Sequence, residues 1–237
     1  MDENWIRSFR AKRQMSHEHN IVKKPWGYEY LMYENEHVAL WFLYIKKGER
    51  TSMHCHPSKT TGLALLDGNV NVSFLSDVKG LDPLSKIMIR KGLFHSTQAL
   101  SDGGAYVLEI ETPVDKHDLV RFKDSYGREG KPYEDATFEY PKQDDCVWLE
   151  EPQVGQSNLY KTGNATVEVV NILSSNFFHT LEDTQNVMFL RGGLVAEYGI
   201  NVAGPGDIVA ASVLKQLTTV FEDVKDNTVV MLMGKND

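Results

Sequence analysis

The stretch Leu63-Ala64-Leu65-Leu66-Asp67-Gly68-Asn69-Val70-Asn71-Val72-Ser73-Phe74 decides the class of fold. Its first four residues are apolar. Asp67-Gly68 is a strong hairpin signal, because glycine enters the turn conformation without strain. Beyond the turn, Val70, Val72 and Phe74 alternate with Asn71 and Ser73. That period of two gives a strand with one face in and one face out.

The same grammar extends in both directions. His37 to Ile45 is a nearly unbroken apolar run holding Val38, Leu40, Trp41, Phe42, Leu43 and Tyr44. It is short, β-branched and aromatic, which favours a buried strand. Ile87 and Ile89 alternate with Met88 and Arg90, and Gly92 marks a bend. Ala105 to Thr112 sets Tyr106, Leu108 and Ile110 against Val107, Glu109 and Glu111. Strand patterns resume at Thr166 to Leu173, Val187 to Leu190, Leu194 to Ile200, Asp207 to Ala211, Gln216 to Phe221 and Thr228 to Met233. Short strands divided by Gly, Asp and Asn predict an all-β sandwich or barrel. Between them, Asp124 to Ser157 carries Pro132, Pro141 and Pro152 and reads as a connector on the surface. One weak helical stripe, Trp5, Ile6, Phe9 and Met15, predicts a helix over Glu3 to Gln14.

The chain has 237 residues, 41% hydrophobic and 24% charged, which excludes a disordered or collagen-like polymer. Its net charge of −8 makes nucleic acid and anionic membrane poor partners. No apolar run approaches the roughly 20 residues that span a bilayer. The polar first segment, with Arg7, Arg10, Lys12 and Arg13, does not read as a secretory leader. Two cysteines, Cys55 and Cys146, make no disulfide scaffold. The expectation is a soluble cytoplasmic protein with reduced thiols.

The two strand-rich halves read as one unit repeated. Leu65-Leu66-Asp67-Gly68-Asn69-Val70 is matched by Phe189-Leu190-Arg191-Gly192-Gly193-Leu194, and Arg90-Lys91-Gly92 by Gly204-Pro205-Gly206. The expected organisation is an arm over 1–21, a first barrel over 22–128, a connector over 129–158 and a second, degenerate barrel over 159–237.

The chemistry concentrates in Gly48-Glu49-Arg50-Thr51-Ser52-Met53-His54-Cys55-His56-Pro57. On a strand, His54 and His56 share one face, roughly 6–7 Å apart at Cα. Neutral imidazole is a common ligand for zinc, iron, copper and nickel. His95, in Arg90-Lys91-Gly92-Leu93-Phe94-His95, is the third candidate. Three nitrogens would leave coordination positions open for water or substrate. Cys55, between two ligands, should point away into packing. His17 and His19 fit a solvated arm better than a site. In the second half, His179 stands where His54 would fall and Leu181 where His56 would fall. One metal is therefore expected, in the first half.

Gly48, His54, His56, Thr61 and Gly68 resemble the first motif of the cupins, and Arg90 to His95 resembles the second. Thr61 stands where the family has its glutamate ligand, and Arg90 where it has proline. The resemblance implies two double-stranded antiparallel β-barrels, the second degenerate, with a divalent transition metal (zinc, iron, manganese or nickel) in the mouth of the first. Glu109 or Glu111 would supply the substitute carboxylate. Val22-Lys23-Lys24-Pro25-Trp26-Gly27-Tyr28-Glu29, Leu108 to Pro113 and Asp118 to Arg128 resemble the sugar-phosphate cupins of the phosphomannose isomerase and mannose-1-phosphate guanylyltransferase group.

That resemblance implies a metal-dependent isomerase or epimerase of a sugar phosphate or related carbohydrate, with a place in carbohydrate metabolism or polysaccharide biosynthesis. His54, His56 and His95 would hold the metal, and Glu109 or Glu111 would move a proton. Lys59 or Arg121 would anchor the anionic end, with Lys24 and Arg90 further basic candidates. Trp26 or Tyr28 would stack on the sugar. Each also has a plain alternative as strand, surface or packing residue, and the Glu109–Glu111 face as a solvated one. Two other functions remain open: a three-histidine iron dioxygenase and a non-catalytic sugar-binding module. Exposed strand edges in the second half, and the habit of cupins, suggest a homodimer.

Overall fold

The first barrel begins at β1 (Ile21–Lys24) and β2 (Gly27–Glu34) and runs through β3 (Ala39–Ile45), β4 (Met53–Cys55), β5 (Thr60–Asp67) and β6 (Val70–Phe74). It continues with β7 (Val78–Leu81), β8 (Lys86–Ile89), β9 (His95–Ala99), β10 (Ala105–Thr112) and β11 (Val120–Lys123). The computed structural model describes residues 21–115, 117–129, 146–162 and 165–235. The helix expected over Glu3 to Gln14, with His17 and His19, lies outside these residues.

Two antiparallel sheets form the barrel: a six-stranded one in the order β1-β2-β3-β10-β5-β8, and a five-stranded one in the order β11-β4-β9-β6-β7. The expected hairpin at Asp67-Gly68 is not formed: β5 pairs with β10 and β8, β6 pairs with β7 and β9, and the turn between them carries the chain from one sheet to the other. Gly68 has φ +85°, and a Cβ there would lie 2.5 Å from the Gly104 carbonyl oxygen, so only glycine fits. Between the sheets lies an apolar interior that includes Trp41, Leu43, Leu65, Val72 and Val107.

The second half repeats this order. Its strands are β12 (Ser157–Thr162), β13 (Ala165–Ile172), β14 (Asn186–Arg191), β15 (Leu194–Val195), β16 (Asn201–Ala203), β17 (Ile208–Ala210), β18 (Asp223–Val224) and β19 (Thr228–Lys235). Their sheets run β12-β13-β19-β14-β17 and β16-β15-β18. The first superimposes in order on β2-β3-β10-β5-β8, the second on β7-β6-β9. The Phe189–Leu194 match is thus the same sheet-to-sheet turn as Leu65–Val70. The match of Arg90-Lys91-Gly92 to Gly204-Pro205-Gly206 does not survive: the former joins β8 to β9, the latter joins β16 to β17.

The degeneracy has a location. Where the first barrel places β4, the second has a 3-10 helix, Ser175–Thr180, and Phe178 on it is fully buried. Leu181 follows it into the same apolar cluster as Phe189, Leu194 and Leu232. That interior is filled with hydrocarbon. Two strand expectations need correcting here. The expected strand Gln216 to Phe221 is instead the end of a helix, α1 (Ala211–Leu217), and the turn after it. Ala211, Leu214 and Leu217 all face the core, a spacing of three that suits a helix and not a strand. The expected strand Leu194 to Ile200 ends at Val195, where the chain turns through Glu197–Gly199.

The two barrels pack face to face. Met32, Leu40, Phe42, Leu108 and Ile110 from the six-stranded sheet meet Val167, Val169, Met188 and Met231 in one continuous apolar cluster. A polar rim closes it. Arg191 pairs with Glu151 at 2.6 Å, Tyr33 donates its hydroxyl hydrogen to Glu151, and Asn186 Nδ2 donates to the Leu84 carbonyl at 2.7 Å. In the segment expected as a connector packing on the surface, Leu149 is buried, and its N–H donates to the Met32 carbonyl. Among the described residues, no helix is long and apolar enough to cross a membrane.

Candidate metal centre

β4 lies between β11 and β9. His54 pairs directly with His95 across the β4–β9 ladder, and His56 follows β4 by one residue. The three rings therefore converge, with centroids 4.5 Å (His54 to His95), 5.0 Å (His54 to His56) and 5.5 Å (His56 to His95) apart. β10 resolves which way its carboxylates face. Tyr106, Leu108 and Ile110 point at the second barrel, so Ala105, Val107, Glu109 and Glu111 point into the first. The Glu109–Glu111 face is not a solvated one. One donor atom each from His54, His56, His95 and Glu109 all lie within 4.8 Å of one another.

Each imidazole has a fixed tautomer. The Nδ1 of His54 donates to the Ser52 carbonyl at 2.8 Å, that of His95 to the Leu93 carbonyl at 3.0 Å, and that of His56 to the Asp118 carbonyl at 2.6 Å. A carbonyl only accepts, so each Nδ1 carries a hydrogen, and Nε2 is the nitrogen each ring can offer to a metal. His56 Nε2 is buried with no hydrogen-bond partner among the described residues. A buried polar atom of this kind is costly unless a ligand takes it. Three imidazole nitrogens and one carboxylate oxygen suit a divalent transition metal. The residues present fit such an ion.

Burial also keeps His54 and His95 neutral. His95 is held down to about 4 by burial, and His54 is driven well below the usual histidine range by burial and by the neighbouring imidazoles. Unfolded, both would take a proton near pH 6.5. The unfolded state then binds more protons as the pH falls, so metal-free protein should lose stability progressively from about pH 6.5 toward about pH 4. Thermal unfolding of the metal-free protein across that range is expected to show a falling midpoint. A flat profile would mean the two rings are not buried.

His54, His56 and Glu109 open on a cavity of about 60 Å³ lined also by Lys24, Trp26, Glu29, Lys59, Glu111 and Arg121. Lys59 Nζ lies 2.7 Å from Glu111 Oε1, with both residues almost wholly buried. Lys24 and Glu29 form a looser buried pair at 3.8 Å. Arg121 sits opposite His54 in the β11–β4 ladder. Of the sequence candidates, His54, His56, His95, Glu109, Glu111, Lys59, Arg121, Lys24 and Trp26 are thus brought together. Arg90 is exposed and Tyr28 packs toward the second barrel, so neither reaches the cavity. Cys55 is buried, and burial pushes its thiol above the usual range, as expected of an inert packing residue.

Sequence reading missed Glu29 and Arg128. Glu29 was readable by parity, since it shares a strand face with Leu31, which lies in the barrel interior. Arg128 lines the cavity while holding Asp124 in a 2.7 Å ion pair. Thr61, where the resemblance to the cupins implies a glutamate, is 1% exposed, and its hydroxyl has no partner among the described residues. An unpaired buried hydroxyl costs about 1–3 kcal/mol. Thr61→Val is therefore expected to raise the melting temperature by roughly 2–4 °C for each kcal/mol recovered, with metal stoichiometry unchanged. A lowered melting temperature would show that the hydroxyl is satisfied.

No protein-family model matches the chain, and no curated protein matches it. Solved structures similar to it include KdgF from Halomonas sp., at 15% identity and TM-score 0.39, covering 41% of this chain and 91% of that one. A sugar phosphate isomerase of the cupin superfamily from Silicibacter pomeroyi is 12% identical at TM-score 0.35, covering 37% of this chain and 59% of that one. The capsular polysaccharide assembling protein CapF from Staphylococcus aureus is 14% identical at TM-score 0.40, covering 44% of this chain and 34% of that one.

Proposed function

We propose that the chain is a metal-dependent enzyme acting on a sugar phosphate or related anionic carbohydrate, by isomerisation or epimerisation. The observation that supports it is the set of three imidazoles and Glu109 at the edge of a cavity that also buries Lys59 beside Glu111. His54, His56, His95 and Glu109 would hold one divalent ion, which when bound polarises a carbonyl or adjacent hydroxyl of the substrate. Glu111, held by Lys59 and 4.0 Å from His56 Nε2, takes the proton from the carbon beside that carbonyl and returns it. Arg121 and Lys24 bind the anionic group, and Trp26 covers the apolar face of the sugar.

The test is a panel of aldose and ketose phosphates in deuterated water, with protein loaded in turn with zinc, iron, manganese or nickel. Deuterium incorporation beside the carbonyl, lost in Glu111→Gln, is expected. An inert panel at full metal occupancy sinks the proposal. Sugar binding that survives both chelation and His54→Ala would instead favour a binding module, and oxygen uptake by the iron form a dioxygenase.

A further inference from the structure

Of the three metal-facing rings, two are oriented by their own strands. His54 and His95 each donate to the carbonyl two residues before them, so the local backbone fixes them as it folds. His56 differs. Its Nδ1 partner is the carbonyl of Asp118, 62 residues away, in the segment between β10 and β11. Nothing in the chain near His56 supplies that acceptor.

The Asp118 side chain makes two further bonds. Its Oδ2 accepts the N–H of Ser58 and the N–H of Lys59, each at 2.9 Å. One residue therefore grips the 56–59 turn from both sides: carbonyl to imidazole, carboxylate to two main-chain amides. The same turn delivers Lys59, whose ammonium reaches Glu111. Leu119, the next residue, lines the cavity.

We infer that Asp118 is a positioning residue of this centre, setting the orientation of His56 with its carbonyl and the placement of Lys59 with its carboxylate. The inference rests on the reading of His54, His56, His95 and Glu109 as metal ligands. It predicts that a side chain which touches neither ion nor substrate governs metal affinity. Without the carboxylate, the segment carrying the carbonyl is no longer tied to the 56–59 turn, and His56 loses its directed lone pair. Outer acceptors of this kind are worth about 10–100-fold in metal affinity.

The test is titration of metal-free protein with Co²⁺, read by its visible absorption, for wild type, Asp118→Ala and Asp118→Asn. Asp118→Ala should bind about 10–100-fold more weakly. Asp118→Asn keeps an oxygen that can accept both amides and should stay within about threefold of wild type. Equal affinity in Asp118→Ala and wild type overturns the inference and leaves the metal reading standing. Failure of wild type to bind Co²⁺ removes the metal reading itself. Should Asp118→Ala not fold, nitrogen-15 spectra of histidine-labelled, metal-free wild type give a second reading. The hydrogen of His56 is expected on Nδ1, protected from exchange, and a hydrogen on Nε2 overturns the inference.

Discussion

Lys59→Met is expected to cost about 3–5 kcal/mol of stability, an effect comparable to emptying a core position. Lys59 is 1% and Glu111 3% exposed, and their charged atoms are 2.7 Å apart. Methionine keeps most of the length and apolar volume of lysine. The substitution therefore removes little packing. It leaves the Glu111 carboxylate in the cavity wall without its ammonium, and an uncompensated buried charge is what such variants lose stability to. The double variant Lys59→Met, Glu111→Leu is expected to recover most of the loss, because neither charge then has to leave water. Urea unfolding of metal-free protein for both variants, beside Glu111→Leu alone, completes the cycle. A cost below about 1 kcal/mol for Lys59→Met would mark the pair as solvated. Recovered stability should not restore turnover, since the double variant has lost the proposed proton carrier.

The two faces of β3 and β10 explain how far the fold could be read from sequence. In β3, Leu40 and Phe42 enter the contact with the second barrel while Trp41 and Leu43 enter the interior of the first. Both faces are buried, so the period of two vanishes and an apolar run remains, still legible as a strand by its length and β-branching. The turn at Asp67-Gly68 was legible because its chemistry is local, but its passage between two sheets, where a hairpin was expected, was not. The helix α1 was not. Thr218, Thr219, Val220 and Phe221, which carry β-favouring side chains, lie in the turn after it, and the helix itself is marked only by the spacing of three in Ala211, Leu214 and Leu217 against the second barrel's core.

The site divides in the same way. His54 and His56 were legible because a spacing of two on a strand shares a face whatever lies around it. The inward direction of Glu109 and Glu111 was not. Charge on one face of a strand ordinarily marks solvent, and here both faces of β10 are covered. Their side is decided by the pairing of β10 with β3 and β5, which places Glu111 opposite Thr61 and Glu109 opposite Leu63. β5 holds Thr61 where the resemblance to the cupins implies a glutamate, and the carboxylate grouped with the histidines, Glu109, stands on the neighbouring strand. No single-strand motif encodes such a transfer. The Asp118 contact is farther still from legibility, being a link between two turns.

Glu109→Gln and Glu111→Gln are expected to fail in opposite ways, although the residues are two apart on one strand. A four-ligand structural zinc site is worth about 10–16 kcal/mol, so one ligand's share is roughly 2.5–4 kcal/mol, or about two to three orders of magnitude in affinity. Glu109→Gln should lose about that much. It keeps the shape of the side chain but removes the carboxylate grouped with the three imidazoles, and an amide oxygen is a poor substitute for a carboxylate on a divalent transition metal. Glu111→Gln should change metal affinity by less than about tenfold, because its Oε1 is engaged by Lys59, yet it should abolish proton transfer. Wild type is expected to bind one ion per chain, since the second barrel fills the corresponding place with Phe178 and Leu181. Isothermal titration of the metal-free proteins decides the matter. Equal losses from the two substitutions would assign both carboxylates to the ion and leave the proposed reaction without its base. Two ions per wild-type chain would mean that hydrocarbon in the second barrel does not exclude a second centre.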